Sequence, residues 1–416
     1  MSNVVPDGWS VGRVGDAITS ADGGVSVNSE NRIKNHHEHG ILKTSSVFDG
    51  RFIPSEHKAI LSNEVHRAST SPKKNHILFS RMNTPVLVGQ SGYVDRDYSD
   101  LFLPDRLWQI QVSDEYNAKW LSYTLRSQGV VKKISDAATG TSNSMKNIAK
   151  PNLMAIPMLC PPLPEQQKIA AILSSVDDVI EKTQAQIDKL KDLKTGMMQE
   201  LLTKGIGHTE FKDSPVGRIP VGWGASTISR SCKIKNTLRK PISKEEREGM
   251  KGVYPYYGPT KAVDHINEFR VEGDHTLIGE DGDHFIKFAS WAMTQFVSGK
   301  FNVNNHAHII EGTGACRTKW IYYYFMHRDI TASLTRQGAT RYKLNKATLE
   351  GLELALPPAE EQDKIIEILD AVMTDITVRE DKVSKLQSMK KALMQDLLTG
   401  TVRVNVDNQH KEEVVA

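Results

Sequence analysis

The sequence predicts a mixed α/β protein: two globular regions separated by two long helices that pair as an antiparallel coiled coil, built on an internal pseudo-twofold repeat. Three observations predict it. One segment of 43 residues occurs twice, both copies carry apolar residues at heptad spacing, and the stretches between are rich in short β-like runs and turns.

The repeat opens at a double proline. Pro161-Pro162-Leu163-Pro164-Glu165-Gln166-Gln167-Lys168-Ile169 returns as Pro357-Pro358-Ala359-Glu360-Glu361-Gln362-Asp363-Lys364-Ile365. The offset of 196 residues holds without a gap to Leu201-Leu202-Thr203 and Leu397-Leu398-Thr399, with 18 of 43 positions identical. Weaker echoes lie upstream. Lys150 and Leu153 map onto Lys346 and Leu349, Trp120-Leu121-Ser122-Tyr123 resembles Trp320-Ile321-Tyr322-Tyr323, and Pro6–Trp9 resembles Pro220–Trp223. The offset drifts from 214 at the Pro6 landmark to 196 at the double proline, so the first copy is 18 residues longer between them. Kept landmarks with diverged intervals describe one scaffold carrying two different surfaces.

Each repeated segment reads as a long helix. Ile169, Val176, Leu190 and Met197 share one heptad position, and Leu173, Ile180, Ile187 and Leu201 share another. In the second copy Ile365, Val372, Leu386 and Leu393 match the first set, while Leu369, Ile376, Val383 and Leu397 match the second. Both seams break at the same places, Thr183 with Arg379 and Lys194 with Lys390. Proline disfavours helix in the residue before it, so the double proline sets the start. Glu165, Glu360 and Glu361 then suit the positive helix N-terminus. At about 1.5 Å per residue each helix is roughly 60 Å long. A narrow apolar stripe of that length needs a partner, and two matching seams in one chain favour an intramolecular antiparallel pair over dimerisation.

The expected division is a first globular domain over 1–155, a central helical segment over 156–206, a second globular domain over 207–352, a C-terminal helical segment over 353–402 and a tail over 403–416. Strand-like runs in the first domain are Ile77–Phe79, Pro85–Val88 and Trp108–Val112; in the second they are Val253–Tyr257 and Ala307–Ile310, with turns at Gly273-Asp274 and Gly282-Asp283. The linker after Thr203 leads to Pro220–Trp223, as the chain after Thr399 would lead to Pro6–Trp9 if joined. The termini are therefore expected close together.

Composition places the chain among globular proteins, with 25% charged and 7% aromatic residues. It has no apolar run long enough for a membrane span, no secretory signal, and only Cys160, Cys232 and Cys316. A cytoplasmic location without a disulfide framework is expected. The net charge of +3 is a cancellation: residues 1–155 carry +3 and 204–355 carry +6, while 156–203 carry −2 and 356–416 carry −4. Basic domains on acidic helices point to a polyanion met by the domains. Candidate contacts are Lys73, Lys74, Arg81, Thr141, Ser142, Asn143 and Lys146 in the first domain, and Thr340, Arg341, Tyr342 and Lys343 in the second. Lys132-Lys133, Arg239-Lys240 and Arg336 are further basic positions. Hydroxyls, amides, cations and an aromatic on Gly-containing loops suit phosphates and base edges.

Motifs for chemistry are weak. There is no G-x-x-x-x-G-K-[ST], no G-x-G-x-x-G after a strand and no Asn/Asp-Pro-Pro-aromatic sequence. His36-His37-Glu38-His39 reads as a solvated loop. Asn304-Asn305-His306-Ala307-His308 reads as a strand with one packed histidine, and Glu280-Asp281-Gly282-Asp283 with Lys287 as an acidic turn. No catalytic or metal residue is assigned. A metal-dependent DNA endonuclease built on these groups, or a coiled-coil scaffold without DNA binding, are the alternatives.

These residues resemble the specificity subunit of type I restriction–modification systems. The repeated Pro-Pro-x-x-Glu-Gln-x-x-Ile start at Pro161 and Pro357, followed by a long helix ending in Leu-Leu-Thr, carries the resemblance. Leu42–Val47, His76–Arg81 and Leu101–Trp108, with Tyr256-Tyr257-Gly258, Gly273-Asp274 and Asn304–Ala307, look like target-recognition domains of that family. The resemblance implies two such domains, each reading half of a bipartite asymmetric duplex DNA site. It implies a chain with no catalytic centre and no cofactor of its own. The implied partners are two modification (adenine methyltransferase) subunits using S-adenosylmethionine and restriction/translocase subunits using ATP and Mg²⁺. Fourteen seam residues would serve the helix pair and partner docking: Ile169, Leu173, Val176, Ile180, Ile187, Leu190, Leu201, Ile365, Leu369, Val372, Ile376, Val383, Leu386 and Leu397. The helix pair is expected to act as a ruler for the spacer between half-sites.

Overall fold

The computed structural model describes residues 5–142, 145–337 and 341–406. The chain divides into two compact units: residues 1–183 with 382–416, and residues 184–381. Each long helix, Leu163–Leu201 and Ala359–Thr399, therefore gives one half to each unit.

A central strand buried on both faces organises each unit. In the first, a six-stranded sheet runs in the order Ile18–Gly23, Leu107–Val112, His76–Ser80, Ser91–Tyr93, Gly50–Phe52, Val47–Phe48. Strand His76–Ser80 is apolar on both faces because both are covered. Ile77 and Phe79 join the main core with Trp108, Ile110, Trp120 and Leu121, whereas Leu78 joins a second cluster with Leu42, Val47, Leu101 and Leu103. The second unit repeats this with His275–Gly279 between Ala307–Gly312 and Thr294–Val297. Ile278 enters the main core and Leu277 the second cluster with Phe301, Val303 and Ile309. The tryptophan landmarks start the helices Ala118–Leu125 and Thr318–Met326, whose Trp120 and Trp320 are buried in those cores.

The long helices start where the double prolines place them. In the first unit Trp9 Nε1 donates to Glu165 Oε2 (3.0 Å). Arg403 donates Nε to the same oxygen (3.1 Å), Nη2 to Oε1, and Nη1 to the carbonyl of Asp7 (2.7 Å). In the second, Trp223 Nε1 donates to Glu361 Oε2 (2.9 Å), while Ile206 N (3.0 Å) and His208 Nε2 (2.9 Å) meet its Oε1. The following glutamines are buried. Gln166 accepts from Asn117 N (2.9 Å) and donates to Pro161 O (2.9 Å). Gln362 accepts from Arg317 N (2.8 Å) and donates to Ala315 O and Pro357 O (both 2.8 Å). The Glu-Gln pair thus ties each helix start to its own unit. The glutamates do more than face a helix dipole. Arg403 also brings the chain after Thr399 back to Asp7, and Gly400 has φ +70° where an added Cβ would strike Pro6.

Within each unit the start of one long helix packs with the end of the other, so the pair is antiparallel. Ile169, Ala170 and Leu173 share a core with Leu397 and Leu398 in the first unit; Ile365 and Leu369 share one with Met198 and Leu202 in the second. Lys390 Nζ meets Asp177 (2.5 Å) in the first, and Lys191 Nζ meets Glu380 (2.7 Å) in the second. The seam breaks have local uses. Thr183 Oγ1 bonds back to Val179 O (2.7 Å), and Arg379 Nη1 donates to Gln186 (2.6 Å). Burial pushes the ammonium pKa of both Lys194 and Lys390 down.

One strand expectation fails. Pro85–Val88 is a turn, with Leu87 N and Val88 N both bonded to Thr84 O (2.9 Å) and Val86 largely exposed. Proline lacks the ladder donor and locks φ, so the apolar Val86-Leu87-Val88 after it turns instead of extending. Ile77–Phe79, Trp108–Val112, Val253–Tyr257 and Ala307–Ile310 lie within observed strands.

The glutamines give a stability test. Gln362→Ala removes the side-chain partner of three backbone groups, one fully buried and two partly buried, and is expected to cost about 2 kcal/mol. Gln166→Ala removes two such bonds and is expected to cost less, so calorimetry should rank Gln362→Ala lower in melting temperature. Equal losses would speak against the glutamines as anchors.

Candidate nucleic-acid interface

Each unit carries a hairpin on the strand that leaves its central strand. In the first unit, Met82–Asn83 pairs with Met145–Asn147, which pairs in turn with Thr139–Ser142. In the second, Asp281–Gly282 pairs with Arg341–Lys343, which pairs with Thr335–Gln337. Two loops chosen from composition therefore occupy the same element of the two units. Asn143 and Thr340 lie outside the described residues. Thr141 and Ser142 belong to the outer strand of the first hairpin, and Arg341 opens the inner strand of the second. Lys146, Tyr342 and Lys343 are half-buried on the inner strands.

Lys73 and Lys74 are brought elsewhere. They are exposed before His76, at the other end of the central strand from the hairpin. Their backbone amides are held by Gln109 Oε1 and Asp97 Oδ1 (both 2.8 Å).

Arg81 stands where the first central strand meets the hairpin. Its Nε donates to Asp105 O (2.7 Å), and its guanidinium lies 5.8 Å from the ring centre of Trp108. Lys150 Nζ lies over the same ring at 5.8 Å. Around Arg81 the exposed Arg106 and Lys150 leave a basic rim; the Asp105 carboxylate takes the hydroxyl of Ser26.

The matching place in the second unit holds Glu280. It meets Arg239 Nη1 at 2.5 Å and Lys343 Nζ at 3.6 Å. Arg239 also donates to Asn305 O (3.1 Å). His308 is buried, with Nε2 2.7 Å from Leu344 O and Nδ1 2.8 Å from Asn236 Nδ2. Burial pushes its imidazole pKa down, and both ring nitrogens are spent on partners within the unit. Asp281 pairs with His306 (3.0 Å) and Asp283 with Lys287 (2.5 Å). The acidic turn and the histidine segment do come together, through the Asp281–His306 hydrogen bond, while Asp283 is spent on Lys287. Among the described residues no group of three His, Cys, Asp or Glu converges for a metal.

The other motif clusters are also occupied. Glu38 takes Arg32 through both oxygens (2.6 and 2.7 Å) and Asn35 N (2.7 Å), which holds its carboxyl down to about 2. Lys133 donates to Pro157 O (2.9 Å), and Lys240 pairs with Glu268. All three cysteines are buried and free.

Of the fourteen seam residues, Ile169, Leu173, Ile187, Ile365, Leu369, Ile376, Val383 and Leu397 are buried, and Val176, Ile180, Leu190, Leu201, Val372 and Leu386 are half-buried. Sequence reasoning missed the pairing of Arg239 with Glu280, which stand 41 residues apart; the one available signal was that both sit in charged clusters.

The profile of the type I restriction modification DNA specificity domain matches residues 6–192 and 220–387. The putative type I restriction enzyme MjaX specificity subunit of Methanocaldococcus jannaschii is 27% identical over 352 residues, covering 79% of this chain and 78% of that protein. The type I restriction enzyme MjaVIII specificity subunit of the same organism is 25% identical over 433 residues, covering 96% and 94%. Among solved structures, the S subunit of a type I restriction–modification system from M. genitalium superposes with a TM-score of 0.66 at 16% identity, covering 96% of this chain and 97% of that one. That likeness supports the fold, and the profile matches both repeats. The chain belongs to the DNA specificity family of type I restriction–modification systems.

Proposed function

We propose that this chain selects the site for a type I restriction–modification complex by reading a bipartite, asymmetric duplex sequence, one half with each unit. The observation that carries this reading is one scaffold present twice, with equivalent hairpins bearing different side chains. A single repeated reader would favour a symmetric site; two different readers favour an asymmetric one. The basic charge of the globular regions supports a polyanion there. The recognition domains would lie within 1–155 and 207–352, with 156–206 and 353–402 as the helical frame. Lys73, Lys74, Arg81, Thr141, Ser142, Asn143, Lys146, Thr340, Arg341, Tyr342 and Lys343 are the proposed DNA contacts.

The chemistry belongs to partners in this reading. Two modification subunits, adenine methyltransferases that bind S-adenosylmethionine, would dock on the two similar halves, because two like surfaces accept two copies of one partner. Restriction/translocase subunits would bring ATP and Mg²⁺. The complex would act on DNA in the cytoplasm. Among the described residues, no helix is long and apolar enough to cross a membrane.

Mapping methylated adenines in cells that carry the complete system tests this directly. A two-part, non-palindromic consensus that disappears when this chain is deleted is expected. A continuous or palindromic consensus would overturn the reading.

The helical ruler gives a second test. An insertion between Thr203 and Gly207 would fall in the turn held by Glu361, beyond the helix end, so length must be added inside the helices. Seven residues inserted into both long helices preserve the heptad phase and add about 10 Å. At about 3.4 Å per base pair, the spacer in the methylated consensus should grow by about three base pairs while both half-sites stay the same. An unchanged spacer argues against the ruler.

A further inference from the structure

Residues 81 and 280 hold one and the same backbone station in their units. Arg81 N donates to Arg106 O (3.1 Å), and Glu280 N donates to His306 O (2.8 Å). Arg81 O accepts from Ile148 N (2.9 Å), and Glu280 O accepts from Leu344 N (2.7 Å). Both residues follow the central strand and precede the strand that carries the hairpin. The neighbouring carbonyls agree too. Asp105 O takes an arginine, Arg81 itself, and Asn305 O takes an arginine, Arg239, delivered from another segment.

The chemistry at the station is opposite. Arg81 is fixed by one bond at Nε and by the Trp108 ring, and among the described residues Nη1 and Nη2 have no hydrogen-bond partner. Those two nitrogens form a preset pair of donors beside a basic rim. In the second unit Glu280 occupies the station and spends its carboxylate on Arg239 and Lys343. That cluster is closed, with one carboxylate set between two cations.

We infer that this station is a specificity determinant: Arg81 reads a guanine in its half-site with the paired Nη donors, whereas Glu280 is a positioning residue that holds Arg239 away from DNA. Guanine presents N7 and O6 in the major groove as two acceptors at the spacing of such a fork. Fixing the guanidinium beforehand lowers the ordering cost of that contact. A lysine offers only a point charge and cannot replace the fork. This inference rests on the proposed reading of one half-site by each unit.

The test uses the full chain assembled with its modification subunits and duplexes varied one base pair at a time across both half-sites. With Arg81→Ala, discrimination at one G·C pair of one half-site should fall by about tenfold or more, with the other half-site unchanged. Arg81→Lys should restore the salt dependence but not the base preference. Uniform weakening on all sequences would mean a phosphate contact and would overturn the guanine assignment, as would an unaltered base profile. Glu280→Gln, nearly isosteric, should release Arg239 and steepen the dependence of log affinity on log salt by about one, with the first half-site's preference intact. An unchanged slope would overturn the positioning role. Failure of the unaltered complex to prefer any sequence would defeat the functional reading itself, which is a different result from a selective complex that ignores Arg81→Ala.

Discussion

Both units depend on the way a long helix is fastened where it begins. A helix leaves its first amides without intrahelical partners and carries a positive end, so its start needs anchoring. Here the anchor is a Glu-Gln pair behind a double proline, its glutamine buried in both units. The glutamate binds an indole from the start of the unit, through Trp9 or Trp223. The glutamine binds the backbone amide of the residue that caps the preceding tryptophan-bearing helix, Asn117 or Arg317. Three distant pieces of chain are thereby set against one helical turn. Apolar burial then follows on the same face: Ile169 and Leu173, or Ile365 and Leu369, enter the domain core directly.

That anchoring lets the surface change without cost to the frame. The station at Arg81 and Glu280 shows how. Backbone bonds on either side are the same, because sheet and hairpin fix them, while the side chain is free to differ. An arginine with free donors and a glutamate closed by two cations are equally compatible with the fold. Other departures are of the same kind. The glutamate of the clasp meets Arg403 in one unit and His208 in the other. Lys390 has Asp177 opposite it, whereas at the position repeated from Asp177 the second copy has Met373.

Much of this was legible in the sequence because it rests on local rules. Heptad spacing, the proline stop and the 196-residue offset are readable without knowing any contact. The hairpin loops were also found from composition, since hydroxyls, amides and glycines cluster there. Lys73 and Lys74 show the limit: they sit close to Arg81 in sequence, but the five-residue strand His76–Ser80 carries the chain away from them to the hairpin end. Pro85–Val88 shows another, where β-branched residues are outweighed by one proline.

The sequence alone determined that one scaffold occurs twice and that its frame is a pair of long helices, because periodicity and helix stops depend on neighbours a few residues away. Only the tertiary structure decided which charges are spent and which stay free. Arg239 and Glu280 are 41 residues apart, and Arg403 and Glu165 are 238 apart. Whether a charge is neutralised depends on what folding brings within about 4 Å of it, and no local pattern encodes that distance.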